Sequence, residues 1–173
     1  MASTDESDPS APPLAPNLTR EISRMERTVV ARGGYSIVYR AEWRPPSGPS
    51  QPVVVKVLIV STTANDNTKV LKRLKREIRV WTRLSHPNIV PLLGFIDEPH
   101  GPGMVSPFFA EGTALQFLKK YPDANREVLC LDVARGLQYL HSQKPPIIHG
   151  DIKGINVLIS PMAMPVCVTS DYL

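Results

Sequence analysis

Asp151, Lys153 and Asn156 set a carboxylate, an ammonium group and a side-chain amide within one short segment, His149-Gly150-Asp151-Ile152-Lys153-Gly154-Ile155-Asn156. The apolar run Val157-Leu158-Ile159 follows directly, so the pattern reads as a loop feeding a short buried strand. Such a loop can aim an acid/base group, a cation that neutralises phosphate charge and a metal-ligating oxygen at one point, because one anchored segment carries all three. Taken alone, the same residues also describe a polar turn ahead of a strand. Two more charges stand in apolar surroundings. Lys56 interrupts the run Val53 to Val60, and Glu77 falls between Leu74 and Trp81 on an apolar helical face. A charge in such a setting costs free energy unless it is paired or snorkels to solvent. Each is therefore the best partner in reach for the other.

The elements that must position these groups are legible in order. From Thr28 to Trp43, two β-prone runs flank the pair Gly33-Gly34, which is a hairpin signal. Arg44 to Pro52 is a turn-rich connector into the strand that carries Lys56. From Thr68 to Leu84, the residues Val70, Leu74, Ile78, Trp81 and Leu84 recur at helical spacing, with Lys69, Lys72, Arg76, Arg79 and Arg83 opposite. That basic face reads as a solvated surface or a docking site for acidic partners. Ser85-His86-Pro87-Asn88-Ile89-Val90 ends the helix, and His86 reads as a structural turn residue. Strands are expected around Pro91 to Asp97 and Gly103 to Phe108, then helices over Thr113 to Lys120 and Ala124 to Ser142. Leu129, Val133, Leu137 and Leu140 mark the buried face of the last helix, where Gly136 signals close packing.

Composition bounds the function. A chain of 173 residues holds one domain with a sizeable core, and 42% hydrophobic with 21% charged residues is ordinary for a soluble protein. A net charge of +4 without aromatic-basic interleaving does not point to nucleic acid. No apolar stretch is long enough to span a bilayer, and the acidic start Met1-Ala2-Ser3-Thr4-Asp5-Glu6 is not a signal peptide. Residues 1–17, rich in Pro, Ser and Asp, read as a disordered tail. Cys130 and Cys167 form no C-x-x-C pair and read as reduced core residues, which suits a cytoplasmic or nuclear protein.

Six motifs in this order resemble the protein-kinase domain over roughly Leu18 to Leu173. The Asp151 loop is similar to the catalytic loop H-R-D-L-x-x-x-N, with Gly150 in place of arginine. Residues 31–38 resemble the phosphate-covering loop G-x-G-x-x-G-x-V, with Ala31, Gly33 and Ser36 at the glycines and Val38 at the valine. Val53 to Lys56 resembles the Val-Ala-Ile-Lys strand, Glu77 its partner on helix C, and His86-Pro87-Asn88 the turn after that helix. Met104 to Thr113 looks like the hinge, with Ser106 as gatekeeper and Phe108 and Phe109 along the adenine edge. The resemblance implies an α+β, protein-kinase-like fold with a complete small lobe (a five-stranded antiparallel sheet plus helix C) and the first part of a helical large lobe. It divides the chain into the tail 1–17, a small lobe 18–108, and a hinge with partial large lobe 109–173.

By the same resemblance, ATP and Mg²⁺ are the cofactors and a protein hydroxyl the acceptor. Lys56, held by Glu77, would fix the α/β-phosphates, while Val38, Val54 and Leu158 sandwich adenine. Asp151 would accept or orient the hydroxyl proton, Lys153 would neutralise the transferring phosphoryl group, and Asn156 would ligate Mg²⁺. The lysine two residues after the aspartate resembles Ser/Thr-directed kinases. The helix and hinge are similar to the tyrosine-kinase-like group, and H-G-D-I-K-G resembles fungal members. The second metal-binding aspartate of D-F-G falls at Ser170 by strand pattern or at Asp171 by chemistry, the latter being the favoured register. With no A-P-E segment before Leu173, the expectation is a truncated and inactive kinase form. The alternative is a kinase-derived binding module that acts through a protein partner, with neither nucleic acid nor membrane involved.

Overall fold

The computed structural model describes residues 15–23, 25–26, 28–34, 36–59, 64–97, 101–160 and 165–167. Strands β1 (Ile22–Ser23), β2 (Val29–Arg32), β3 (Ser36–Trp43) and β4 (Gln51–Leu58) come first, followed by helix α1 (Ala64–Thr82). Then come β5 (Gly94–Ile96), β6 (Gly103–Pro107), α2 (Ala114–Lys120), α3 (Arg126–His141), β7 (Val157–Ile159) and β8 (Pro165–Cys167). One antiparallel sheet runs β1-β3-β4-β6-β5, with β2 also paired to β3. Because β4 occupies one edge of β3 along its whole length, β1 and β2 share the other. The six segments therefore lie in five ranks, the first of them interrupted. A second, two-stranded sheet joins β7 to β8.

Register assigns the faces, since residues opposite one another in an antiparallel ladder point the same way and neighbours alternate. Val38 lies opposite Lys56, Arg40 opposite Val54, Lys56 opposite Met104 and Val54 opposite Ser106. These residues share one face of the sheet. Ala41, Val53, Val55 and Val105 share the other, where they bury with Leu18, Ile22 and Ile96.

The first face is closed by α1. Its inward residues Leu74, Ile78 and Trp81 bury with Leu58 and Met104, and the same cluster takes in Leu140 of α3 and Val157 of β7. The Trp81 indole N–H donates to Val90 O at 2.6 Å, which pins the end of α1 to the segment entering β5. His86 stacks on Tyr139 at 4.8 Å, and Ser85 N–H donates to Tyr139 Oη at 2.9 Å, so the turn after α1 is fastened to α3. Gly136 makes this approach possible. A Cβ there would stand 2.8 Å from Asn88 O. The helix starts are capped locally: Thr113 and Gln116 exchange hydrogen bonds in a capping box, and Asn125 Oδ1 accepts from Val128 N–H.

The structure adjusts several expectations. β1 has no counterpart in the sequence reading, and α1 begins four residues earlier than Thr68. Ala15 is buried and Asn17 bridges to Phe95, so residues 15–17 belong with the packed chain rather than with the tail. Cys130 is exposed, not a core residue. The buried line of α3 is Leu129, Asp132, Gly136 and Leu140, and one residue past Leu129 the helix has turned about 100° away.

Candidate active site

Lys56 and Glu77 meet. Lys56 Nζ lies 3.4 Å from Glu77 Oε1, with side chains 16% and 3% exposed. The strand places the lysine on the α1-facing side of the sheet, and the helix delivers Glu77, the one acid among its described buried residues (Leu74, Glu77, Ile78, Trp81). Val38, Val54 and Ser106 surround this pair on the same face. The two valines are half-buried, as a wall open to a ligand requires, and Ser106 is buried.

Above them the β2–β3 hairpin closes with Gly33 N–H donating to Ser36 O at 2.8 Å. Ala31 and Gly33 are accessible, whereas Ser36 is buried on the side of Leu58. Ser36 therefore serves the fold of the loop more than its outer surface.

At the hinge, Phe108 N–H donates to Pro52 O at 3.2 Å, and its ring lies 4.4 Å under the Arg40 guanidinium. Phe108 is thus engaged by the sheet. Phe109 carbonyl accepts from Gly112 N–H, and its own amide has no backbone partner among the described residues, so Phe109 carries the donor that could face a ligand. Arg40 was not singled out in the sequence. Its signal was weak, because an arginine in an exposed hairpin position is ordinary, and only the ladder sets it beside Val54 and over Phe108.

The loop 149–156 folds around Asp151. Asp151 Oδ2 accepts from Lys153 Nζ at 2.8 Å and from Asn156 Nδ2 at 2.9 Å, and the same Nδ2 donates to Asp151 O at 2.9 Å. His149, buried, takes the Asp151 N–H on Nδ1 at 3.3 Å. The Lys153 ammonium holds the Asp151 carboxyl below its ordinary range against the opposing effect of burial, and the Asn156 amide adds to the lowering. The loop is tied to α2 and the hinge: Gly154 O accepts from Leu115 N–H, and Ile159 N–H donates to Gly112 O. Leu158, half-buried and bridged to Thr113, joins the cluster that contains Met104. His149 is the positioning residue the sequence reading passed over, although it opens the motif.

The donor set fits the expected cofactors. With Nδ2 committed to Asp151, the Asn156 Oδ1 is directed elsewhere, and a carboxylate with an amide oxygen is a hard ligand pair of the kind Mg²⁺ shares with phosphate and water. No group of three or more His, Cys, Asp or Glu able to hold a metal occurs among the described residues. Ser170 and Asp171 lie outside the described residues. A separate cavity of about 490 Å³ opens between the 86–88 turn and α3, around the Asp132–Arg135 pair, and is lined by neither the residues around Lys56 nor those around Asp151.

Comparison with known proteins agrees with this geometry. A family model described as protein tyrosine and serine/threonine kinase matches residues 25–172. The chain belongs to that family. Among its relatives, the probable serine/threonine-protein kinase drkD of Dictyostelium discoideum is 36% identical over 137 residues, which is 75% of this chain and 10% of the relative. The Arabidopsis thaliana serine/threonine-protein kinase CTR1 is 30% identical over 75% of this chain and 16% of its own length. Serine/threonine-protein kinase VIK, also of Arabidopsis thaliana, is 30% identical over 89% of this chain and 35% of its length. The chain therefore spans between a tenth and about a third of these three relatives. The fold is the α+β kinase architecture: the five-ranked sheet with α1 forms the small lobe, and α2, α3 and the β7–β8 hairpin begin the helical lobe. No helix among the described residues is long and apolar enough to cross a membrane.

Proposed function

We propose that this chain binds ATP with Mg²⁺ and serves phosphoryl transfer to a serine or threonine hydroxyl of a protein. The observation that carries the reading is the Lys56–Glu77 pair at 3.4 Å, set on the same sheet face as Val38, Val54 and Ser106. A lysine held by a buried acid beside two half-buried valines is suited to anchor phosphate. The bound nucleotide supplies the phosphoryl group and the metal its charge neutralisation. The chain's own residues do the rest. Lys56 binds phosphate oxygens, Phe109 N–H offers the hinge hydrogen bond, and Asn156 Oδ1 with the upstream loop 31–38 would hold the metal-bound phosphates. Asp151, kept ionised by Lys153 and Asn156, orients the acceptor hydroxyl and takes its proton, and Lys153 offsets charge on the moving group.

The Ser/Thr direction rests on Lys153 at its place after Asp151 and on the serine/threonine kinases among the relatives. The boundary between lobes is proposed at 108/109, and a cytoplasmic location fits the reading. Asp171 is proposed as the second metal ligand.

Thermal unfolding of the full chain with and without ATP and Mg²⁺ tests the site. At a hundredfold excess over Kd a ligand stabilises by about 2.7 kcal/mol. At about 2–4 °C per kcal/mol for a chain of this size, that is a rise of roughly 5–10 °C. Lys56→Ala should remove the rise and Asn156→Ala its Mg²⁺ dependence. A folded wild-type chain whose midpoint does not move with ATP would displace this reading in favour of a kinase-derived, non-catalytic binding module.

A further inference from the structure

The outer face of α1 carries a charge arrangement that the nucleotide site does not use. Lys72, Arg76, Arg79 and Arg83 follow one another at spacings of four, three and four residues, so at about 100° per residue they fall within about 60° of one another. All four are exposed, and they lie diametrically opposite Trp81, the centre of the buried face. Lys75 flanks the stripe and is exposed as well. None of the ion pairs among the described residues involves any of these five. Like charges stacked at i,i+3 and i,i+4 repel and weaken a helix. A stripe about 16 Å long of that kind, from Lys72 to Arg83, calls for an anionic partner.

We propose that the partner is the chain's own N-terminal segment, with Asp5, Glu6 and Asp8 lying along the α1 stripe. Two observations select this occupant over an external polyanion. Over residues 1–19 the segment carries the acids Asp5, Glu6 and Asp8 and no Lys or Arg. Its root is also fixed beside the helix: Ala15, 5% exposed, is buried in the cluster that holds Leu74, Ile78 and Trp81 of α1, and Phe95 N–H donates to Pro16 O at 3.0 Å. From Asp8 to Ala15 the link Pro9-Ser10-Ala11-Pro12-Pro13-Leu14 is proline-rich and spans about 22 Å when extended at roughly 3.1 Å per residue. Half the circumference of a helix about 11 Å across is about 17 Å, so the acids reach the far side of α1 with chain to spare. A tether of this length gives an effective concentration on the order of millimolar, which makes a weak charge contact populated. The contact clamps the helix that carries Glu77.

The full-length chain is treated at low salt with a carbodiimide, which couples carboxylates to adjacent lysine amines, and the products are mapped by mass spectrometry. Amides joining Asp5, Glu6 or Asp8 to Lys72 or Lys75 within one chain are expected. Their yield should fall at least about tenfold at about 1 M salt, where the Debye length is about 3 Å. Arg76→Glu/Arg79→Glu should lower it similarly, although every reacting group is retained. These side chains are exposed, so folding should persist, and if it does not, the salt series on the wild-type chain decides. Absence of the amides at low salt, or an unchanged yield in high salt or in the folded variant, overturns the proposal. So do amides that bridge isotope-labelled and unlabelled chains, which would assign the stripe to a second copy. Heparin or single-stranded RNA bound equally well with and without residues 1–14 would assign it to an external polyanion.

Discussion

Asp151 keeps its charge through its neighbours. Lys153 Nζ at 2.8 Å and Asn156 Nδ2 at 2.9 Å both favour the ionised form, and His149 adds to them, so the folded carboxyl titrates below its ordinary value. A folded pKa below the unfolded one of about 3.9 means that ionisation favours the fold. That contribution is fully present above the unfolded pKa and is lost as pH falls through the lower folded value. Lys153→Met should therefore move the Asp151 titration upward, toward the ordinary carboxylate range, as read by carbon-detected NMR of the side chain. An unmoved titration would show that Lys153 does not set the charge state. Gly150 belongs to the same scale. Its φ of +76° is a left-handed conformation that costs an L-residue about 1–2 kcal/mol, while a Cβ there would meet nothing within 4 Å. Gly150→Arg should thus lower stability by about 1 kcal/mol in urea unfolding without disturbing the packing. The three polar groups of this loop could be read in the sequence because their spacing survives folding unchanged. The work of His149 could not, because the motif marks the histidine but not the Asp151 N–H that its buried ring accepts.

At the scale of elements, α1 was the most legible part of the chain, because a lone acid on an apolar face has few physical solutions. The ladder supplies the partner: β4 pairs with β3 and β6 so that Lys56 faces the helix. The same burial makes the pair vulnerable. Lys56→Met would leave Glu77, 3% exposed, without that cation, at a cost of about 3–5 kcal/mol, whereas Lys56→Met/Glu77→Leu should recover most of it. Urea unfolding of the two single variants and the double variant gives the coupling, and additive losses would mean that the pair does not stabilise the fold. Gly136 sets the contact between α3 and the 86–88 turn. Because Asn88 O would stand 2.8 Å from a new Cβ, Gly136→Ala should cost about 1–3 kcal/mol although alanine is the better helix former. β1 escaped notice for the opposite reason. Ile22 and Ser23 are too few to show a period, and they are strand only because Trp43 and Glu42 lie opposite. β5 is shorter than the strand expected around Pro91 to Asp97, since an apolar run reports burial and not pairing.

Over the whole molecule, one apolar cluster decides whether the sheet and the helical part fold as a unit. It contains Leu58 and Met104 from the sheet, Leu74, Ile78 and Trp81 from α1, Leu140 from α3 and Val157 from β7. The second cluster, around Val53, Val55 and Val105, lies wholly within the sheet and its N-terminal approach. Lys56, Val38 and Val54 lie on the face that the shared cluster closes, so the relative placing of Lys56 and Asp151 depends on that cluster rather than on the hinge alone. Leu140 is the sharpest probe, being 1% exposed and distant in sequence from every sheet residue it joins. Leu140→Ala should cost about 2–5 kcal/mol. If the two parts unfold together, that loss is shared by amides that the mutation does not touch. Hydrogen exchange at Val55 in the sheet and at Leu137 in α3 should then accelerate together, by roughly 30-fold for a loss of 2 kcal/mol. Acceleration confined to α3, with Val55 unchanged, would mean that the sheet holds its own stability through the second cluster. The Asp151 loop would then sit on a part of the chain able to detach from the sheet that carries Lys56.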